Sequence, residues 1–111
     1  MRQPDLSFGA LPVLACLAVV MAEPARAEVI HVTMEQIVYT PAQISAYVGD
    51  TVEWDNKAIV AHTATARDNS WDVVIAPSSK NSVVLKSAGT VAYYCRFHLN
   101  MVGQITVKPR E

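Results

Sequence analysis

From residue 28 onward, apolar and polar positions alternate or fall into short apolar blocks, each closed by a turn residue. The pattern predicts strands over Val29–Met34, Ile37–Tyr39, Gln43–Val48 and Thr51–Trp54, with Val52 and Trp54 on one face of the last. Pro41 interrupts the second and third, and Gly49-Asp50 turns the chain into the fourth. Further strands are predicted over His62–Ala66, Val73–Ile75, Ser82–Lys86, Thr90–Cys95 and Gly103–Lys108, with loops at Asn56–Ala61 and Arg96–Met101. No segment carries a helical period. Roughly seven or eight short strands joined by small turns predict an all-β, two-sheet sandwich.

Residues 1–27 have a different pattern. Leu11–Ala22 is a nearly unbroken apolar run behind Arg2, and Ala25-Arg26-Ala27 places small residues where a signal peptidase reads them. This predicts a secretory leader cut between Ala27 and Glu28, leaving one domain over residues 28–111 and a periplasmic protein. A run of about 12 residues is short for a membrane span of roughly 20. A lipoprotein acylated at Cys16 is the other reading, but the apolar run continues past Cys16 to Val20.

The 111 residues carry a net charge of −1 and no basic run, which excludes phosphate-driven nucleic-acid binding. No Ser-His-Asp set, paired-carboxylate pocket or phosphate loop supports an enzyme, so no catalytic residue is assigned. Behind the leader, Cys95 is the single cysteine. In an oxidising compartment it is either buried and inert or occupied by something.

Cys95-Arg96-Phe97-His98-Leu99-Asn100-Met101 places a thiolate, an imidazole and a thioether at i, i+3 and i+6 between two strands. His62, behind the loop Asn56–Ala61, can come to face them from another strand. Two imidazoles, one thiolate and a distant thioether form the His₂Cys set with an axial methionine that suits copper in both of its oxidation states. Zinc is the competing metal, but methionine is a poor ligand for it. A Cu(I) carrier or resistance protein is the competing function. Such proteins often cluster several exposed methionines, whereas the domain has only Met34 and Met101.

These residues resemble the cupredoxins, the type 1 blue-copper proteins, and most closely the amicyanin subgroup. The likeness covers Val29–Val107: Gly49-Asp50-Thr51-Val52-Glu53-Trp54, Asn56 six residues before His62, Gly89-Thr90 leading to Cys95, and a two-residue spacing between His98 and Met101. The resemblance implies an eight-stranded Greek-key sandwich with one copper held by His62, Cys95, His98 and Met101. The ring edge of His98 would emerge through an apolar patch, for which Phe97, Leu99, Ile59 and Val60 are the candidates. It also implies monomeric carriers that shuttle electrons between redox proteins, such as an amine dehydrogenase-like donor and a c-type cytochrome acceptor. Asn56 would brace the two ligand-bearing loops and donate its backbone N–H to the Cys95 sulfur.

Two positions depart from the family pattern. Arg96 stands where Thr or Ser is usual, and its side chain cannot accept a hydrogen bond. Beside the electron port, Arg96 could also steer a partner. Phe97 stands where Pro is common, so it has an N–H that could donate a second bond to the Cys95 sulfur. His31 and Trp71 are expected at the surface and sheet edge, and Trp54 in the core.

Overall fold

A computed structural model describes residues 26–110; apart from Arg26 and Ala27, the leader, with Cys16, lies outside the described residues. Nine strands are present among them: β1 (Val29–Glu35), β2 (Val38–Thr40), β3 (Gln43–Tyr47), β4 (Thr51–Asn56), β5 (His62–Ala66), β6 (Asp72–Ile75), β7 (Lys80–Val84), β8 (Gly89–Cys95) and β9 (His98–Lys108). They form a four-stranded sheet of order β2-β1-β4-β7 and a five-stranded sheet of order β3-β9-β8-β5-β6. Strands β1 and β4 pair parallel, as do β3 and β9, and the other pairs are antiparallel. No helix among the described residues is long and apolar enough to cross a membrane.

The inward faces follow the alternation in the sequence. Val32 and Met34 on β1, Val52 and Trp54 on β4, and Ile105 and Val107 on β9 are buried, with exposed or half-buried residues between them. Between the sheets, Trp54 meets Tyr93 edge-on at 5.6 Å between ring centroids and donates its Nε1–H to the Tyr93 hydroxyl at 3.2 Å. Tyr39 packs on Tyr93 at 4.6 Å, and half-buried Trp71 closes the cluster 5.5 Å from Trp54. Burying each of these rings contributes roughly 2–3 kcal/mol to a small core. His31 is exposed, with Nδ1 3.0 Å from Glu53 Oε1.

Several boundaries depart from the sequence expectation: β2 shifts by one residue to Val38–Thr40, and β4 runs on to Asn56. Strand β7 begins two positions early, because Lys80 and Asn81 pair with Asp55 and Trp54; Leu85 leaves the ladder and bonds across to Gly49 and Asp50. The loop expected over Arg96–Met101 contracts to a turn at Arg96 and Phe97, with β9 starting at His98.

The β3–β4 turn ties down both ends of the domain. Gly49 supplies the positive φ (98°) that the turn requires. Buried Asp50 accepts the Tyr47 N–H at 2.8 Å and the Glu28 N–H at 3.0 Å, and it is ion-paired with Arg110.

Candidate metal centre

Strand β5 starts at His62, and its sequence His-Thr-Ala-Thr-Ala sends His62, Ala64 and Ala66 to one face and Thr63 and Thr65 to the other. Strand β8 ends at Cys95. There the ladder is interrupted: Tyr94 lies opposite Val102, but Cys95 lies opposite His98. Leu99, Asn100 and Met101 are therefore extra residues on β9, a bulge that bends the strand end back on itself. This bulge turns His98 back beside Cys95 and carries buried Met101 on its far side, which neither a regular strand nor a regular hairpin would allow.

Three donor atoms converge there. The Cys95 Sγ is 3.7 Å from His62 Nδ1 and 3.8 Å from His98 Nδ1, and the donor atoms of all three residues lie within 4.8 Å of one another. Metal bonds of about 2.0–2.1 Å to imidazole and about 2.3 Å to thiolate give N···S separations of about 3.8 Å at trigonal angles and about 3.6 Å at tetrahedral ones. The observed spacing is what these three residues would need to hold one ion between them. Cys95 and His62 are fully buried, His98 is half-buried, and Met101 on the bulge is 1% exposed among exposed neighbours.

The His62 imidazole is held below its ordinary pKa, first by burial and then by the neighbouring His98; the Gln36 backbone offsets part of this. Gln36 stands outside hydrogen-bond geometry, so the buried Nε2 has no partner. A neutral ring is the form a metal can use.

The residues around the sulfur differ from expectation. The Cys95 Sγ receives the Thr63 N–H at 3.4 Å, not that of Asn56. The Asn56 N–H instead donates to the Ser79 carbonyl. Its side chain ties the loop before His62 to the end of β6: Nδ2 bonds the carbonyls of Val60 (2.9 Å), Ile75 (3.0 Å) and Ala76 (3.2 Å), and Oδ1 accepts from Ala58. The N–H of Phe97 makes no bond to the sulfur, whose polar neighbours are Thr63 N and the two imidazoles. The brace between the two segments is again Thr63, whose Oγ1 accepts the Arg96 N–H at 2.8 Å. The only cue to it in the sequence is its place directly after His62, in a strand that alternates threonine with alanine.

Phe97 and Leu99 flank His98 in the chain, and Ile59 and Val60 lie on the loop leading into His62. All four are exposed, Ile59 at 91% and Leu99 at 69%. The Arg96 guanidinium lies 5.5 Å from the Phe97 ring and is ion-paired with Asp72 at 3.2 Å, while Lys57 pairs with Asp55 at 3.2 Å.

The sequence matches the family described as the cupredoxin-like domain over residues 8–107. It is 32% identical to a plastocyanin of Prochlorothrix hollandica, over 94% of this chain and 96% of that one. Among solved structures, a proline-to-phenylalanine variant of amicyanin in its reduced state superposes with a TM-score of 0.63 at 26% identity, covering 71% of this chain and 81% of the other. Amicyanin from Paracoccus versutus matches with a TM-score of 0.64 at 23% identity, covering 78% of this chain and 85% of the other; that likeness speaks for the fold alone.

Proposed function

The chain belongs to the cupredoxin-like family, and on that footing we propose that it is a blue-copper carrier of single electrons, with one ion held by His62, Cys95, His98 and Met101. The observation that carries this reading is the convergence of His62 Nδ1, Cys95 Sγ and His98 Nδ1, with the two nitrogens 3.7 and 3.8 Å from the sulfur. Thiolate and thioether favour Cu(I), imidazole serves both oxidation states, and methionine speaks against zinc.

Bound copper supplies a reversible one-electron couple. The protein's part is to hold the donors still and keep water out. Burial of His62, Cys95 and Met101 does the second. The pairing of Cys95 with His98, locked by the bulge, and the Thr63 N–H on the sulfur do the first. His98 alone among the four is half-buried, so its ring edge is the exit for the electron, with Phe97, Leu99, Ile59 and Val60 forming the apolar contact with a partner. Buried donors also favour a carrier over a copper-delivery protein, which must open its ligands to exchange.

The same reading makes residues 1–27 an export leader, cut after Ala27, and the working protein a periplasmic monomer. Its partners are redox proteins, with an amine dehydrogenase-like donor and a c-type cytochrome acceptor as the kinds to try first.

The test is a visible and paramagnetic-resonance spectrum of copper-loaded residues 28–111, followed by cyclic reduction and oxidation. An intense thiolate-to-copper band with reversible one-electron cycling is the expected result. Copper uptake without that band, or without cycling, would overturn the carrier reading.

A further inference from the structure

The two threonines on the outer face of β5 are buried, Thr63 at 0% and Thr65 at 6%, so their hydroxyls must be satisfied within the protein. Thr65 Oγ1 is 2.7 Å from Asp72 Oδ1. An ionised carboxylate can only accept, so Thr65 donates its one proton there. Thr63 and Thr65 are in contact through their hydroxyls at 3.0 Å, and with the Thr65 proton already used, Thr63 must be the donor. Thr63 Oγ1 in turn accepts the Arg96 N–H at 2.8 Å. The Arg96 side chain returns to the start, its Nε donating to the same Asp72 oxygen at 3.2 Å.

The hydrogen bonds therefore run in one direction, from the Arg96 amide through Thr63 and Thr65 to the Asp72 carboxylate, with the Arg96 side chain closing the ring. Bonds aligned this way polarise one another, and a terminal anion strengthens the whole series. The ring joins places that matter to the site. Arg96 is the turn residue after Cys95, and Thr63 follows His62 and keeps its own N–H 3.4 Å from the Cys95 sulfur. Asp72 touches none of the four donors.

We propose that Asp72 is a positioning residue for the metal centre: through Thr65 and Thr63 it seats the Cys95–His98 turn and holds the Thr63 N–H on the sulfur. This rests on the copper reading above. An N–H on the thiolate withdraws charge from it and stabilises the reduced state. Loosening the chain therefore lowers the reduction potential, although no residue in contact with the metal has changed.

Thr65→Val tests this, because it keeps the shape and charge of the site and removes only the middle hydroxyl. Thr65→Ser puts the hydroxyl back. In the metal-free protein, amide hydrogen exchange at Arg96 and Thr63 should quicken in Thr65→Val and return to the wild-type rate in Thr65→Ser. In the copper-loaded protein, Thr65→Val should have a lower potential and a displaced thiolate-to-copper band, with Thr65→Ser like wild type. Unchanged exchange and unchanged potential in Thr65→Val would overturn the proposal. So would a shift seen only in Asp72→Asn, which keeps an acceptor oxygen and loses the charge, since that result makes Asp72 a distant charge and nothing more. The wild-type spectrum separates the two claims: if it lacks the blue band, the carrier reading fails, while the exchange data still decide whether the chain seats the turn.

Discussion

The ring of Tyr93 occupies the space that a side chain on Gly103 would need. The two residues lie opposite each other on β8 and β9, and a Cβ at position 103 would sit 2.5 Å from Tyr93 Cζ. Tyr93 cannot swing aside, because it is packed between Tyr39 and Trp54. Gly103→Ala should therefore destabilise the fold by about 1–3 kcal/mol through overpacking. A urea titration of the metal-free protein checks this, with the midpoint expected to fall and the slope to stay constant.

Tyr39 spans from the other sheet to the strand that carries His62, its hydroxyl donating to the Thr63 carbonyl at 2.6 Å. Tyr39→Phe leaves that buried carbonyl unpaired and should cost about 1–3 kcal/mol at neutral pH. Burial pushes the Tyr39 phenol far above its usual range, with Cys95 and Tyr93 adding to the effect, and burial pushes Tyr93 up to about 12. A raised phenol pKa gives stability that is complete below the unfolded value of about 10 and is lost as the pH rises beyond it. Unfolding free energies measured between pH 8 and pH 12 should fall steeply above about 10 in wild type and less steeply in Tyr39→Phe.

Asp50 predicts the opposite limb. Burial alone would raise its pKa, but the N–H bonds from Tyr47 and Glu28 and the Arg110 guanidinium outweigh burial and hold it below the usual carboxylate range. The stability this gives is present above the unfolded pKa of about 3.9 and is lost as the pH falls through the folded value. Asp50→Asn should be less stable than wild type at pH 7 and lose less on acidification. Thermal unfolding across pH 2 to 7 decides it, and parallel acid limbs would count against the assignment.

Beside the apolar residues around His98, Arg96, which lies 5.5 Å from the Phe97 ring, is paired with Asp72, and Lys57, two positions before Ile59, is paired with Asp55. Association there should depend on apolar burial and respond weakly to salt. Leu99→Glu should slow electron exchange with a partner by about tenfold or more, as expected for losing most of a buried leucine's contribution. The reduction potential should not move. Stopped-flow rates at low and high ionic strength, beside voltammetry, separate docking from redox tuning.

The strands were legible because alternation specifies a face, and β5 reads correctly over its full length, from His62 to Ala66. The pairing of Cys95 with His98 was legible because the two lie three positions apart in the chain. The bulge was not, since it depends on how Val102 and His98 pair with β8, and register between distant strands leaves no local mark. The same limit displaced β7, whose start is set by Asp55 and Trp54. Asn56 was misread because its role came from the family resemblance, and a shared residue does not fix which backbone N–H faces the sulfur. Thr63 does so because β5 runs beside the end of β8, where the regular ladder has stopped.

On the proposed reading of residues 1–27 as an export leader, the bond from Glu28 to Asp50 would give a cut after Ala27 a structural meaning. Before the cut, a neutral peptide N–H faces the buried carboxylate at 3.0 Å. After such a cut the same nitrogen would be a free amine carrying a proton at neutral pH, a second cation for Asp50 beside Arg110. A chain that begins at Glu28 should therefore be harder to unfold than one that keeps residues 1–27, with the added stability coming from one charged contact at the domain's edge.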